Sequence, residues 1–514
     1  MDNGLKLKIG QMIMAGFPSP QVDEQAKKLV NDYLVGNFVL FKRNFVSYRQ
    51  TGRMCEELSR LAFEKTGIAP IISTDQEGGS TNRMSEGASL LPGAMAVAAA
   101  DADGEFLGET CARILKSVGV NTDLAPVMDV NSNPMNPIIG TRSYGDTPEK
   151  VKKYGLAELR GMQKGGLIAT MKHFPGHGNV SSDSHLTLPS NSAPKQELYS
   201  VDFEPFRAGA QAGADALMSC HVVFPSMDPD NPATVSRRIM TGLLREEMGF
   251  KGIAMTDCIE MNAICVTYGY GEGAVKAIEA GCDLLCISHT YEAVSAAAEA
   301  IYAAVESGRI SEERINESYE RLLRIKQCYG LTKPFVFDEK AADELIHDRE
   351  LIRRVRSVNY DAVTLISGDG KVRLDDTVFL SPYAQAMTRY DNPDGEPDSF
   401  AKQAAKALGG EEISFPIEGV NEEAEKRIMA SDAGYYVLGL YNARFCPGQL
   451  DALKLIKQKG RPCAVVIFGA PYDNTLIEGA DTVLVAYEYS ASSVDAVIEA
   501  LKNREYKGRL PVEI

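Results

Sequence analysis

Lys172, His173, His177, Asp183 and His185 form the densest group of reactive side chains in the chain: three of its six histidines fall between positions 173 and 185. Their segment, 166–189, starts as the apolar run GLIATM, turns polar at KHFPGHG, passes through DSH and closes at Pro189. The apolar run has strand character. Loops at the ends of buried strands are where a rigid scaffold can hold chemistry. Three chemistries compete for the segment. The first is a metal site, because His173 and His177 are four apart, as on a zinc-protease helix. Pro175 and Gly176 break the helix that it needs, and no Glu stands beside His173. The second is a structural turn, in which His177, between two glycines, serves through backbone hydrogen bonds. The third is acid/base catalysis by His185, with Asp183 two residues earlier to hold one tautomer and favour the charged form. No metal and no cofactor is expected.

Positioning such a loop needs a scaffold, and residues 1–330 suggest one. Eight short apolar runs alternate with longer amphipathic stretches: 11–17, 37–41, 70–74, 121–125, 166–171, 216–220, 252–256 and 283–288. Helices are expected between them, for example at Tyr48–Lys65 and Pro148–Lys164. Strand–helix alternation implies a parallel sheet, and eight units in about 300 residues fit a closed (β/α)₈ barrel. An open doubly wound sheet is the alternative, but no G-x-G-x-x-G follows the first run. Barrel sites lie at the carboxyl ends of the strands. Just past successive runs stand Arg43, Asp75-Gln76-Glu77, Asp129, Lys172-His173, His221 and Asp257. Some of these can be helix N-caps, a role open to Asp129 in particular. Asp257, followed by Cys258 and Ile259, reads as functional. Arg83 and Arg142 lie on glycine- and proline-rich loops, where guanidinium groups grip ligand oxygens or make ordinary surface ion pairs.

Length and composition set the bounds. The chain has 514 residues, enough for a barrel and a further domain. A net charge of −16 disfavours nucleic acid and anionic membrane as partners. No apolar window is long enough to span a bilayer, and no leader peptide is read at the start. The ten cysteines are scattered without a C-x-x-C pair, which suggests a reducing, cytoplasmic setting. A capped helix reaches Gly330, and the barrel is assigned residues 1–333. Residues 334–356 read as a linker. A fresh strand pattern occupies 357–514, with runs at 362–367, 377–381, 435–440, 463–469 and 481–488 and a helix at Ser399–Leu408, a smaller α/β sandwich. That domain is expected to add a substrate contact at the barrel mouth, or to serve stability or dimerisation; a homodimer stays open.

With DQEGG (75–79), Arg83, APVMDV (125–130), IGTRSYG (139–145), KHFPGHG (172–178), DSH (183–185) and TDCIEM (256–261) in view, the chain resembles family-three glycoside hydrolases. Within them it is similar to the β-N-acetylglucosaminidase branch of the cell-wall-recycling type. The resemblance covers the whole barrel and, more loosely, the second domain. It implies Asp257 as nucleophile, His185 as general acid/base oriented by Asp183, and Asp75, Arg83, Arg142, Lys172 and His173 as residues holding the sugar. Two positions depart from the family: Ser80 stands where Arg is frequent, and Cys258 where glucosidase relatives carry Trp. The chain has no Trp at all, which speaks against a β-glucosidase.

The implied chemistry is retaining. A carboxylate attacks the anomeric carbon while a proton donor assists the leaving group. Histidine's pKa already lies near neutrality, and a neutral imidazole puts no negative charge beside an incoming anion. The acceptor is therefore open between water and phosphate. The expected substrates are muropeptide or chitooligosaccharide fragments. A non-catalytic sugar-binding barrel and a nicotinamide-dependent reductase are the other classes considered.

Overall fold

The computed structural model describes residues 2–181, 188–383 and 399–514. Eight strands form one sheet: β1 (Ile13–Ala15), β2 (Asn37–Leu40), β3 (Ile71–Thr74), β4 (Thr122–Asp123), β5 (Ile168–Phe174), β6 (Ala216–Ser219), β7 (Ile253–Thr256) and β8 (Leu285–Ile287). Every residue of every one of them is buried, which is why most read as apolar runs rather than as an alternation. They pair in parallel in the order β8-β1-β2-β3-β4-β5-β6-β7. A bridge between Met255 and Leu284 joins the two ends, closing the barrel that the alternation predicts.

The helices between the strands are set by their caps. Ser47 accepts the Gln50 amide at the start of Tyr48–Thr66, and Asp103 does the same for Phe106 at the start of Gly104–Ser117. Pro148 opens Pro148–Lys164, where its missing N–H costs nothing. Segment 334–356 is largely helical: Glu339–Ile346 is followed by Arg349–Ala362, which leads into the second sheet.

That sheet has six strands: β9 (Thr364–Gly368), β10 (Thr377–Pro382), β11 (Glu411–Phe415), β12 (Tyr435–Leu440), β13 (Cys463–Ile467) and β14 (Thr482–Val485). Their order is β9-β14-β13-β12-β10-β11, with β9 antiparallel and the rest parallel. The five expected runs are all strands. β11 is an addition, and so is a short hairpin at Val223–Phe224 and Asp228–Pro232. Buried apolar side chains gather on both faces of the sheet, around Phe379, Phe400 and Phe468 on one and Phe415, Leu438 and Val465 on the other. This makes it an α/β sandwich, as expected. No helix of the described residues is long and apolar enough to cross a membrane.

Candidate active site

The strands' carboxyl ends deliver one side chain after another to a single cavity of about 330 Å³. Asp75 follows β3, Lys172 and His173 close β5, Asp257 follows β7, and Arg83 arrives from the loop after β3; all five line this cavity. Asp257 thus lies at the same mouth of the barrel as Lys172. Asp183 and His185 lie outside the described residues, in the segment between Ser181 and Leu188.

The centre of the site is a buried charge network. Lys172, 1% exposed, donates to Asp75 Oδ1 at 2.7 Å and pairs with Glu77 Oε1 at 2.5 Å. Arg83 Nη2 is 3.5 Å from the other oxygen of Asp75. Arg142 grips Glu77 with two bonds of 2.8 Å, from Nε and Nη2. Desolvation would raise the pKa of Glu77, but Arg142 and then Lys172 drive it well below the ordinary carboxylate range. Lys172 answers in kind: burial favours its neutral form, yet Asp75 and Glu77 hold its pKa above normal. Its ammonium charge is therefore permanent at neutral pH. Arg142 is not among the residues lining this cavity. It lines a second one of about 240 Å³, with Ser80 and, from the second domain, Tyr441, Arg444 and Tyr489.

Asp129 is the residue whose part the sequence left open. It caps no helix. It is wholly buried, and Oδ2 takes the His173 Nδ1 proton at 2.7 Å and the His173 amide at 3.1 Å. Oδ1 takes the His177 amide at 2.6 Å. Desolvation opposes this carboxylate, but the charge of His173 and these bonds hold its pKa below normal. Asp129 thereby orients His173 and leaves Nε2 as the ring nitrogen for a ligand. His173 and His177, with ring centroids 6.0 Å apart, meet edge to face. The turn role suits His177, whose amide goes to Asp129 and whose carbonyl accepts Asn136 Nδ2 at 2.8 Å. Gly178 cannot carry a side chain, since a Cβ there would fall 1.7 Å from the Val130 carbonyl oxygen.

Two of the residues noted past the strands prove to be supports. Gln76, 1% exposed, ties the loop after β3 together: Nε2 donates to Asn82 Oδ1, Met84 O and Ser89 O, and Oε1 accepts the Arg83 and Met84 amides. His221, fully buried after β6, donates from Nε2 to the Cys258 carbonyl at 3.0 Å and so steadies the backbone beside Asp257. The motif spacing showed where these residues stand but not what their side chains reach.

The chain matches the family model described as glycosyl hydrolase family 3 N terminal domain over residues 4–325. It is 35% identical over 285 residues to the beta-hexosaminidase of Neisseria meningitidis serogroup C, a match spanning 54% of this chain and 77% of that one. A family 3 beta-N-acetylglucosaminidase from Paenibacillus sp. FPU-7 superposes with a TM-score of 0.93 at 36% identity, covering 99% of this chain and 98% of the other. The beta-N-acetylhexosaminidase of Beutenbergia cavernae gives 0.57 at 28% identity, covering 63% of this chain and 99% of its own.

Proposed function

As this chain belongs to glycosyl hydrolase family 3, we propose that it is a retaining exo-β-N-acetylglucosaminidase, with Asp257 as nucleophile and His185, oriented by Asp183, as acid/base. The observation that supports this reading best is the meeting of Asp257 with Asp75, Arg83, Lys172 and His173 in one cavity. Its volume of about 330 Å³ suits a single sugar ring better than a polymer chain, as an exo-acting enzyme requires. Asp257 is partly exposed, as a nucleophile must be, and its Oδ1 accepts the Cys258 amide at 2.7 Å, which limits its rotation.

In this mechanism Asp75 accepts hydrogen bonds from hydroxyls of the bound sugar, while Arg83 and Lys172 supply fixed positive charge. Arg142 acts through Glu77, holding the carboxylate that holds Lys172. Asp257 attacks the anomeric carbon and the leaving oxygen departs as His185 gives it a proton. His185 then takes a proton from the acceptor that releases the sugar. The natural substrates are muropeptide or chitooligosaccharide fragments, acted on in the cytoplasm.

An aryl N-acetylglucosaminide tests the reading. Asp257→Ala is expected to abolish turnover, and full activity in that variant would remove the assignment. His185→Ala is expected to slow substrates with poor leaving groups far more than activated aryl glycosides; equal losses would deny it the acid role. The same cycle runs with phosphate as acceptor, so free sugar and sugar 1-phosphate are to be assayed with and without phosphate. Predominant sugar 1-phosphate would make the enzyme a phosphorylase.

A further inference from the structure

One wall of the cavity carries a group of metal donors to which the proposed mechanism gives no part. Cys258 directly follows Asp257, Glu260 stands two residues later, and His289 comes from the loop after β8. One ligand atom from each lies within 4.8 Å of the others. Glu260 Oε2 is 3.9 Å from Cys258 Sγ. All three side chains line the same cavity as Asp257, and so does a second thiol, Cys286.

The chemistry of the set is specific. A thiol, an imidazole and a carboxylate on one wall match the mixed sulfur, nitrogen and oxygen ligation of zinc. Ligand atoms around a tetrahedral zinc lie roughly 3.5 Å apart, so the wall needs to tighten by about 1 Å. Arg43 Nη1 is 3.3 Å from His289 Nδ1, while Nε and Nη2 of Arg43 are tied to the Phe17 and Ser288 carbonyls. Glu260 accepts the His289 and Thr290 amides and the Thr290 hydroxyl. Glu260 and His289 are thus held by their neighbours, and Arg43 is a positive charge that a cation would have to displace from His289.

We propose that Cys258, Glu260 and His289 form a binding site for a thiophilic divalent cation, represented by Zn²⁺, and that filling it arrests turnover. Binding converts the Cys258 thiol to a zinc thiolate and releases its proton to solvent; no electron transfer occurs. A water completes the tetrahedron. The binding half stands on the donor geometry alone. The inhibition half rests on the proposed function: a dication one residue from Asp257 draws on that carboxylate and occupies space that the sugar needs.

The experiment titrates the full-length protein with Zn²⁺ in metal-free buffer while following aryl N-acetylglucosaminide hydrolysis. In parallel, Co²⁺ is added without substrate and the thiolate-to-cobalt charge-transfer band is recorded. The wild type is expected to be inhibited reversibly, with chelator restoring activity, and to show the band. Cys258→Ser and His289→Ala are expected to weaken inhibition by about tenfold or more each, and Cys258→Ser to lose the band. Should either variant fold poorly, Zn²⁺ protection of wild-type Cys258 from iodoacetamide, mapped by mass spectrometry, reports the same contact. Equal metal sensitivity in Cys258→Ser and wild type overturns the assignment. A protein that shows the band but no hydrolase activity would instead sink the proposed function and leave the metal site standing.

Discussion

Among single residues, His177 makes the clearest case that the site is held by burial as much as by charge. Burial, and next the charge of neighbouring His173, lowers its pKa to about 4. An unfolded histidine titrates near 6.5. Between those values the folded protein binds fewer protons than the unfolded chain, so this contribution is complete above about pH 6.5 and drains away as the pH falls toward 4. The shift corresponds to about 3 kcal/mol. Denaturant unfolding followed from pH 7 to 4 is expected to show that loss in the wild type and a flatter profile in His177→Gln. Parallel profiles would mean that His177 is not buried neutral. Position and type of such residues were legible: KHFPGHG announced a reactive turn. Which histidine meets which carboxylate was not, because Asp129 and His173 lie 44 positions apart and meet only once β4 and β5 pair.

At the level of elements, the loop after β3 shows how much rests on one amide. Gln76 satisfies three backbone carbonyl or side-chain acceptors and two amides inside a loop that sets both Asp75 and Arg83. Each buried polar group left without a partner costs about 1–3 kcal/mol. Gln76→Leu is therefore expected to lower the melting temperature by several degrees and to raise KM, since the loop places sugar-binding groups. A variant with wild-type KM would show that the loop holds its form without the clamp. The barrel itself was readable because parallel strands are buried on both faces and stand out as apolar runs. β11 was not: its residues EEISF have only Ile413 and Phe415 buried, with polar residues between and before them at the sheet edge, so no apolar run marks them. The second strand of the Val223–Pro232 hairpin is Asp, Pro and Asn only, so no apolar run marks it.

In the whole molecule, the second domain is tied to the two loops that carry the site. Tyr472 accepts Asn131 Nδ2 at 2.9 Å and Arg444 donates to the Pro134 carbonyl at 2.6 Å; both contacts fall on the loop after β4, which bears Asp129 and Arg142. Glu488 reaches the other loop. Its Oε2 accepts the Gly93 amide at 2.8 Å, and a Cβ on either Gly79 or Gly93 would lie 2.9 Å from that oxygen. Gly79, the second glycine of DQEGG, has φ +61° and its Cβ position lies 2.9 Å from the Gly93 Cα, so no side chain fits where these backbones and the Glu488 carboxylate meet. A hydrogen bond to a charged group is worth about 1.5–3 kcal/mol, enough to set the position of a loop though not to hold a domain alone. Glu488→Ala is expected to raise KM several-fold and to leave the two sheets folded, as judged by circular dichroism. Glu488→Gln keeps an acceptor for Gly93 and is expected to recover most of that loss. If Ala and Gln behave alike, the link between domains works through packing around Tyr472 and Arg444 rather than through this carboxylate.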